Sequence, residues 1–369
     1  MVNSERLTRP ATVRGALAEP RSSRGALVSV IVPCYNYGHF LPASVGSVLG
    51  QERVTAQVII VDDASTDDSA AVAARIAAAD PRVVVLRNRQ NSGHVVTFNN
   101  GLAVATGDFI VRLDADDLLT PGSLARAVAL FDAYPSVGLV YGHPLHFEGE
   151  TPPEPSNRLK GWSVWPGEDW VARRCRTGVN CITTPEAVLR ASVVAEMGPL
   201  NLRLKFAQDM EYWLRAASLS DVGRVDGPDQ ALHRDHAASM SVTTGSGKLL
   251  DLLERRTVFD EVFAGAGGAL PRAAELHRTA RRALAVDALE LACHAFDRGK
   301  ARTQDVSEFV DFARETYDPV EALPQWRALL RRQRVGAKVS PYVPTFFGAA
   351  VRRRLRHEVE HRRWVRTGV

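Results

Sequence analysis

Residues 27–36, LVSVIVPCYN, and residues 56–65, AQVIIVDDAS, decide the fold. Each is a short run rich in Val and Ile that ends on polar residues, the pattern of a strand buried on both faces, and Pro33 is expected to close the first. The segment between them, FLPASVGSVLGQ (40–51), carries apolar residues at helical spacing, with Pro42 near its first turn. The alternation then continues. TDDSAAVAARIAAAD (66–80) reads as an Ala-rich helix with acidic residues at its N-terminal end, where they favour the helix dipole. RVVVLRN (82–88) reads as a strand, HVVTFNNGLAVAT (94–106) as a helix and FIVRLD (109–114) as a fourth strand. Strands alternating with helices predict an α/β domain with a mostly parallel central sheet and helices on its faces.

In such sheets ligands sit beyond the carboxyl ends of the strands. Four segments occupy those ends: Cys34-Tyr35-Asn36, Asp62-Asp63, Asn88 to Gly93, and Asp114 to Asp117. The last raises a physical question, because Asp114, Asp116 and Asp117 repel one another. Either they are solvated on a turn that caps the next helix, or something positive holds them. Three further polar strand ends around them favour a site.

The composition is that of an ordinary globular protein: 369 residues, 45% hydrophobic and 24% charged. No run of 18 apolar residues occurs, and the Arg-bearing N-terminus lacks the apolar centre of a secretory signal, so a cytoplasmic protein is expected. Cys34, Cys175, Cys181 and Cys293 show neither a CxxC pair nor metal-ligand spacing and read as reduced packing residues. The net charge of +4 is a property of the C-terminus. Residues 325–369 hold twelve Lys/Arg against Glu358 and Glu360, a net of +10, which leaves residues 1–324 at about −6. With no RNP, helix-turn-helix or zinc-finger pattern, no nucleic-acid partner is expected. Residues 1–26 are expected to form a disordered leader, 27–245 the α/β domain, 246–335 a helical C-terminal region and 336–369 a basic amphipathic tail. GLVYGHPLHFEGE (138–150) reads as a strand pair, and PEAVLRASVVAEMG (185–198) and FAQDMEYWLRAAS (206–218) as amphipathic helices. Trp162, Trp165 and Trp170 lie in a Pro- and Gly-rich connection, where an acceptor-binding face and plain packing are equally open.

Five blocks in order, VSVIVPCYNYGHFLPASVGSVLGQ, VIIVDDASTDDS, NSGHVVTFNNGLAVATGDFIVRLDADD, FAQDMEYWLR and HRDHAASMS, resemble the inverting family 2 glycosyltransferases with the nucleotide-sugar-binding GT-A fold. The resemblance covers residues 27 to about 243. It implies that Asp114-Ala115-Asp116 is the DXD element, with Asp114 and Asp116 holding Mn²⁺ or Mg²⁺ against the donor diphosphate and Asp117 as a helper. Oxygen-preferring cations suit that task, because they reverse the sign of a site that would otherwise repel phosphate. Asp63 resembles the uracil-reading aspartate; a carboxylate accepts the N3–H that uracil and thymine share. A UDP-sugar or dTDP-sugar donor is therefore expected, with Tyr35 lying against the base and Pro33 presenting its carbonyl. Asn91 and Gly93 fit the loop on the diphosphate side, although Phe98 stands where many members carry Arg. Asp209, with Gln208 where a Glu is usual, is implied as the general base for an acceptor hydroxyl on a glycan, glycolipid or small molecule. His236 and Arg234 resemble the closing motif, where a basic group approaches the diphosphate.

A nucleotidyltransferase would open with a Gly-rich loop and a basic signature after the first strand, and an NAD-dependent oxidoreductase with GxGxxG; PCYNYGHF has neither. A catalytically idle carbohydrate-binding scaffold of the same fold is the remaining rival. Asp114, Asp116 and Asp209 together argue against it. The tail places Arg352, Arg353, Arg354, Arg356, Arg362 and Arg363 beside Phe346, Phe347 and Trp364, which suits peripheral contact with an anionic membrane.

Overall fold

The computed structural model describes residues 11–14, 25–236, 247–303 and 305–346, with scattered positions from 348 to 368. It divides into two compact units, residues 1–170 with 182–243 and residues 171–181 with 244–369. The first unit follows the expected alternation: β2 (Leu27–Cys34), α1 (Leu41–Leu49), β3 (Thr55–Asp62), α2 (Ser69–Ala79), β4 (Val83–Arg87), α3 (His94–Leu102) and β5 (Phe109–Arg112). β2 pairs in parallel with β3 and β5, and β3 with β4. Val28, Val30, Val32, Val58, Ile60 and Val111 are buried within this half of the sheet. Each such side chain contributes on the order of 1.5–3 kcal/mol. Pro33 does not end β2, which continues in register to Cys34 opposite Asp62.

After β5 come β6 (Leu118–Leu119), α4 (Ser123–Ala133), β7 (Val137–Glu148), β8 (Gly161–Trp165), α5 (Gly167–Thr177), β9 (Val188–Arg190), α6 (Ala191–Met197), α7 (Gln208–Leu219) and β10 (Asp221–Asp235). With β1 (Ala11–Arg14) they complete a ten-stranded sheet of order β1-β8-β10-β7-β9-β5-β2-β3-β4, in which β6 pairs β10. β9 is antiparallel to both β5 and β7, and β10 is parallel to β7. The strands β2, β3, β4, β5, β7 and β10 therefore share one direction, and the central sheet is mostly parallel.

Three further expectations are corrected, and one left open is resolved. Residues 138–150 are not a strand pair, because β7 runs unbroken through Gly142 and Pro144. A Cβ at Gly142 would collide with the Gln230 side chain of β10, so glycine there lets the two strands approach. Residues 185–198 begin as the short strand β9 before turning into α6. Within the expected disordered leader, Ala11–Arg14 form a strand on β8; residues 1–10 and 15–24 lie outside the described residues. The tryptophans at 162, 165 and 170 are buried packing residues, with the Trp162 and Trp170 indoles donating to the Tyr134 and Tyr141 hydroxyls.

The second unit is helical, as the sequence leads one to expect: α8 (Lys248–Ala264), α9 (Ala273–Asp297), α10 (Ser307–Thr316) and α11 (Pro324–Val335). Leu252, Phe259, Leu284, Leu289, Phe309 and Leu329 form its buried interior. A buried ion pair joins Arg332 of α11 to Asp297 of α9 at 2.7 Å, and the Arg332 guanidinium lies over the Phe346 ring. The Trp364 indole donates to the Cys181 carbonyl at 3.0 Å. Phe346 and Trp364 are thus engaged within their own unit, whereas Phe347 and the arginines at 352–354, 356 and 363 lie outside the described residues.

Candidate active site

The carboxyl ends of β2, β3 and β5 carry the predicted polar segments. Tyr35, just past β2, is 42% exposed and so has an open ring face. Asp63 is buried and accepts from Asn88 Nδ2 at 2.7 Å and from the backbone N–H groups of Ser92 and Gly93 at 2.9 and 2.8 Å. Gly93 adopts a φ of 83°, which its missing Cβ permits, and Asn91 Oδ1 lies 3.2 Å from its N–H. Asp63 thereby fastens the Asn91-Ser92-Gly93 turn that opens α3. An ionised carboxylate has about four acceptor positions, so one remains. Neighbouring Asp62 accepts from the Ser65 N–H at 3.2 Å, and Arg87 Nε stands 3.2 Å from its other oxygen without hydrogen-bond geometry.

The second acidic group lies at the end of β5, and every member faces a basic side chain. Arg112 Nε donates to Asp114 at 3.0 Å, with an ion-pair contact of 2.9 Å from Nη2. Burial works against the Asp114 charge, but the Arg112 guanidinium together with His94 and His233 outweighs it and holds the carboxyl below its ordinary pKa. His236 Nε2 is 2.8 Å from Asp116 Oδ2. Burial and then the nearby Asp114 charge push the Asp116 pKa upward, against the pull of His236. Asp117 is fully buried, and burial drives its pKa to about 7 although His233 opposes the shift. It accepts from the Arg234 N–H at 2.9 Å and faces His233 Nδ1 at 3.1 Å. Asp117 does not cap α4, whose first residue follows Gly122 with no side-chain cap; it anchors the end of β10. Arg234 packs its guanidinium between the Phe40 and Phe147 rings and donates to the Asp116 carbonyl at 3.1 Å and to the Gly149 carbonyl. It thus braces the acidic turn through backbone.

Asp209, the second residue of α7, lines a small cavity with Arg112, Thr184, Phe98, Tyr212 and Trp213. Burial pushes its pKa up to about 6, opposed by the Met210 N–H at 2.7 Å and by the Arg112 charge. Arg215, the partner a surface aspartate here would take, ion-pairs with Glu211 at 2.7 Å. Arg112 bridges the two parts, since it contacts Asp114 and shares the Asp209 cavity. The sequence reading passed over Arg112 and His233. Strand alternation was the available signal for Arg112, because residues 112 and 114 fall on the same side of an extended chain.

A mostly parallel sheet with polar and acidic residues at its carboxyl edge, and a further acid at a helix start, fits the GT-A fold that the sequence leads one to expect. Residues 29–198 match the family described as Glycosyl transferase family 2, and the chain contains a family 2 glycosyltransferase domain. An uncharacterised glycosyltransferase of Nostoc sp. is 37% identical over 114 residues, 31% of this chain and 35% of that protein. The succinoglycan biosynthesis protein ExoO of Rhizobium meliloti is 37% identical over 106 residues, 29% of this chain and 30% of that protein. Both matches thus span about a third of the relative's length. The crystal structure of Staphylococcus aureus TarS 1–349 in complex with UDP-GlcNAc superposes with a TM-score of 0.58 at 16% identity, covering 85% of this chain and 90% of that one. This last likeness concerns the fold. Among the described residues no helix is long and apolar enough to cross a membrane.

Proposed function

We propose that the protein transfers a sugar from a UDP-sugar or dTDP-sugar to a hydroxyl acceptor, with inversion and with a divalent cation, in the assembly of a glycan, glycolipid or glycosylated natural product. The observation that carries the reading is the ion pair of Asp114 with Arg112, which in turn lines the cavity of Asp209, with Asp116 two residues on set against His236. The donor set suits a cation: a partly buried carboxylate pushed toward protonation by burial and then by a neighbouring carboxylate, with an imidazole nitrogen 2.8 Å away, is relieved when Mn²⁺ or Mg²⁺ replaces the proton. Asp116 and His236 would hold the ion, and Asp114, already held by Arg112, would contact the ribose or a metal-bound water. When bound, the cation neutralises the donor diphosphate and acts as a Lewis acid for the departing nucleoside diphosphate.

The chain's own groups supply the rest. Tyr35 offers a ring face for the base, Pro33 a carbonyl, and Asp63 its remaining acceptor position for N3–H. Asn91 and Gly93 present the turn beside the diphosphate. Asp209 takes the proton from the acceptor hydroxyl as that oxygen attacks the anomeric carbon from the side opposite the leaving group, and a pKa near 6 keeps it ionised at neutral pH. One displacement with one base inverts the anomeric centre. Association of the arginine-rich tail with anionic lipid is part of the proposal and rests on charge, since Phe346 is buried and Trp364 is hydrogen-bonded. A hydrolysis screen over purified nucleotide sugars, with thermal stabilisation by UDP measured with and without Mn²⁺, tests the reading. Metal-dependent stabilisation and donor turnover are expected; sugar binding without either supports the idle scaffold.

A further inference from the structure

The ends of β7 and β10 bring together a second group of ligating side chains that the donor site does not use. The two strands run parallel with His146 opposite His233 and Glu148 opposite Asp235. By strand alternation His146, His233 and Asp235 share one side of the sheet, and Phe147 and Arg234 take the other. The geometry is tight. His146 Nδ1 is 3.1 Å from Asp235 Oδ2, His233 Nε2 is 3.8 Å from Asp235 Oδ1, and the imidazole centroids are 4.8 Å apart. One nitrogen from each histidine and one Asp235 oxygen all lie within 4.8 Å of one another. Bonds of about 2.0–2.1 Å in tetrahedral geometry place neighbouring ligand atoms roughly 3.3 Å apart, so small side-chain rotations complete three corners.

A separate feature orients one of the ligands. The buried Asp117 carboxylate faces His233 Nδ1 at 3.1 Å, which keeps the hydrogen on that nitrogen and directs Nε2 toward His146 and Asp235. A carboxylate behind a histidine is the usual support of a metal-binding imidazole. The side chains of His146 and Asp235 are 45% and 49% exposed, which leaves an entry path and a fourth position for water.

We propose that His146, His233 and Asp235 form a second divalent-cation site, selective for a Zn²⁺-class transition ion and distinct from the Asp114/Asp116 pair. Two imidazole nitrogens and one carboxylate oxygen favour Zn²⁺, Co²⁺ or Ni²⁺ over Mg²⁺, which prefers an all-oxygen octahedron. The ion ties the end of β10 to β7, one residue before His236 reaches Asp116, and so acts as a positioning element for the donor site.

The test uses the full chain stripped of metal, titrated with Zn²⁺ by calorimetry and with Co²⁺ by its visible ligand-field absorption. Wild type, His146→Ala and Asp116→Asn are compared. The expected result is one Zn²⁺ equivalent that survives Asp116→Asn and excess Mg²⁺, carries nitrogen-coordinated Co²⁺ absorption, and weakens by roughly 10-fold or more in His146→Ala. His146→Ala should melt with wild type in the absence of metal, because the side chain is exposed. Identical Zn²⁺ binding by wild type and a natively folded His146→Ala overturns the proposal. So does binding by neither, or an equivalent lost in Asp116→Asn and kept in His146→Ala. If His146→Ala proves unfolded, Asp235→Asn takes its place with the same readouts.

Discussion

The two acidic strand ends, Asp62-Asp63 after β3 and Asp114 to Asp117 after β5, are alike in sequence and different in environment. At the first, hydrogen-bond donors of the protein's own loops surround the carboxylates, Ser65, Asn88, Ser92 and Gly93, and the exposed Arg87 stands beside Asp62. At the second, the partners are the ionisable side chains Arg112, His236 and His233. Hydrogen-bonded acids shape a loop. Buried acids set against one another and against histidines change protonation readily, and a cation resolves their repulsion. The first cluster is therefore suited to holding and reading a base, the second to chemistry that moves charge.

The sharpest way to break this contrast is at Asp116. Asp116→Ala should lower turnover by roughly 10³-fold or more, the several kcal/mol that a Lewis-acid cation supplies, and wild-type turnover should stop in EDTA and return with Mn²⁺ or Mg²⁺. Full activity in excess chelator removes the metal role. At Asp209 the expected loss is about 10²–10⁴-fold for Asp209→Asn, with UDP affinity within a few-fold of wild type. Because the base works only when deprotonated, wild-type kcat should fall as pH drops through about 6 and level off above it; the Asn variant should lack that limb. An anomeric NMR spectrum showing retained configuration means that the wrong base or the wrong mechanism has been assigned.

Asp63→Asn probes the other strand end with a smaller effect. An amide keeps one acceptor oxygen but turns a donor toward the N–H groups of the Asn91-Ser92-Gly93 turn, so about 1–3 kcal/mol of local bonding is lost. UDP affinity measured by calorimetry should weaken about 10-fold, with the Mn²⁺ requirement unchanged. A shift in metal dependence instead would show that the two clusters are coupled.

Much of this was legible in the sequence, for physical reasons that also mark where reading stopped. The β2 to β5 half announces itself because strands buried on both faces must be continuous Val/Ile runs. β10 was invisible: its fifteen residues contain Gly223, Gly227, Pro228 and several charges, and its pairing with β7 carries register shifts between Arg224 and Asp229. That irregular strand nevertheless delivers His233, Arg234 and Asp235, and His236 follows it directly. The partner of Asp117, over a hundred residues away, was hidden for the same reason. Local patterns report local structure, and the contacts of Asp116 and Asp117 with His233, Arg234 and His236 are made across the sheet.

Tyr35 carries the smallest of these expectations and tests the base-reading side of the comparison without touching either acidic cluster. Its ring lies beside the β2 end with 42% of the residue exposed, so its removal leaves no cavity in the core and should leave melting nearly unchanged. If it lies against the pyrimidine, Tyr35→Ala forfeits an aromatic contact worth about 0.5–1.5 kcal/mol, a roughly 2–12-fold rise in the UDP dissociation constant. Tyr35→Phe should restore most of that affinity, because the contact uses the ring face and the hydroxyl is not required. Affinity lost in both variants would assign the role to the hydroxyl, and affinity lost in neither would move the base away from β2. In that last case the sensitivity of UDP binding to Asp63→Asn has to come from the turn that Asp63 fastens, and the β3 cluster would be a scaffold for the diphosphate loop with no part in reading the base.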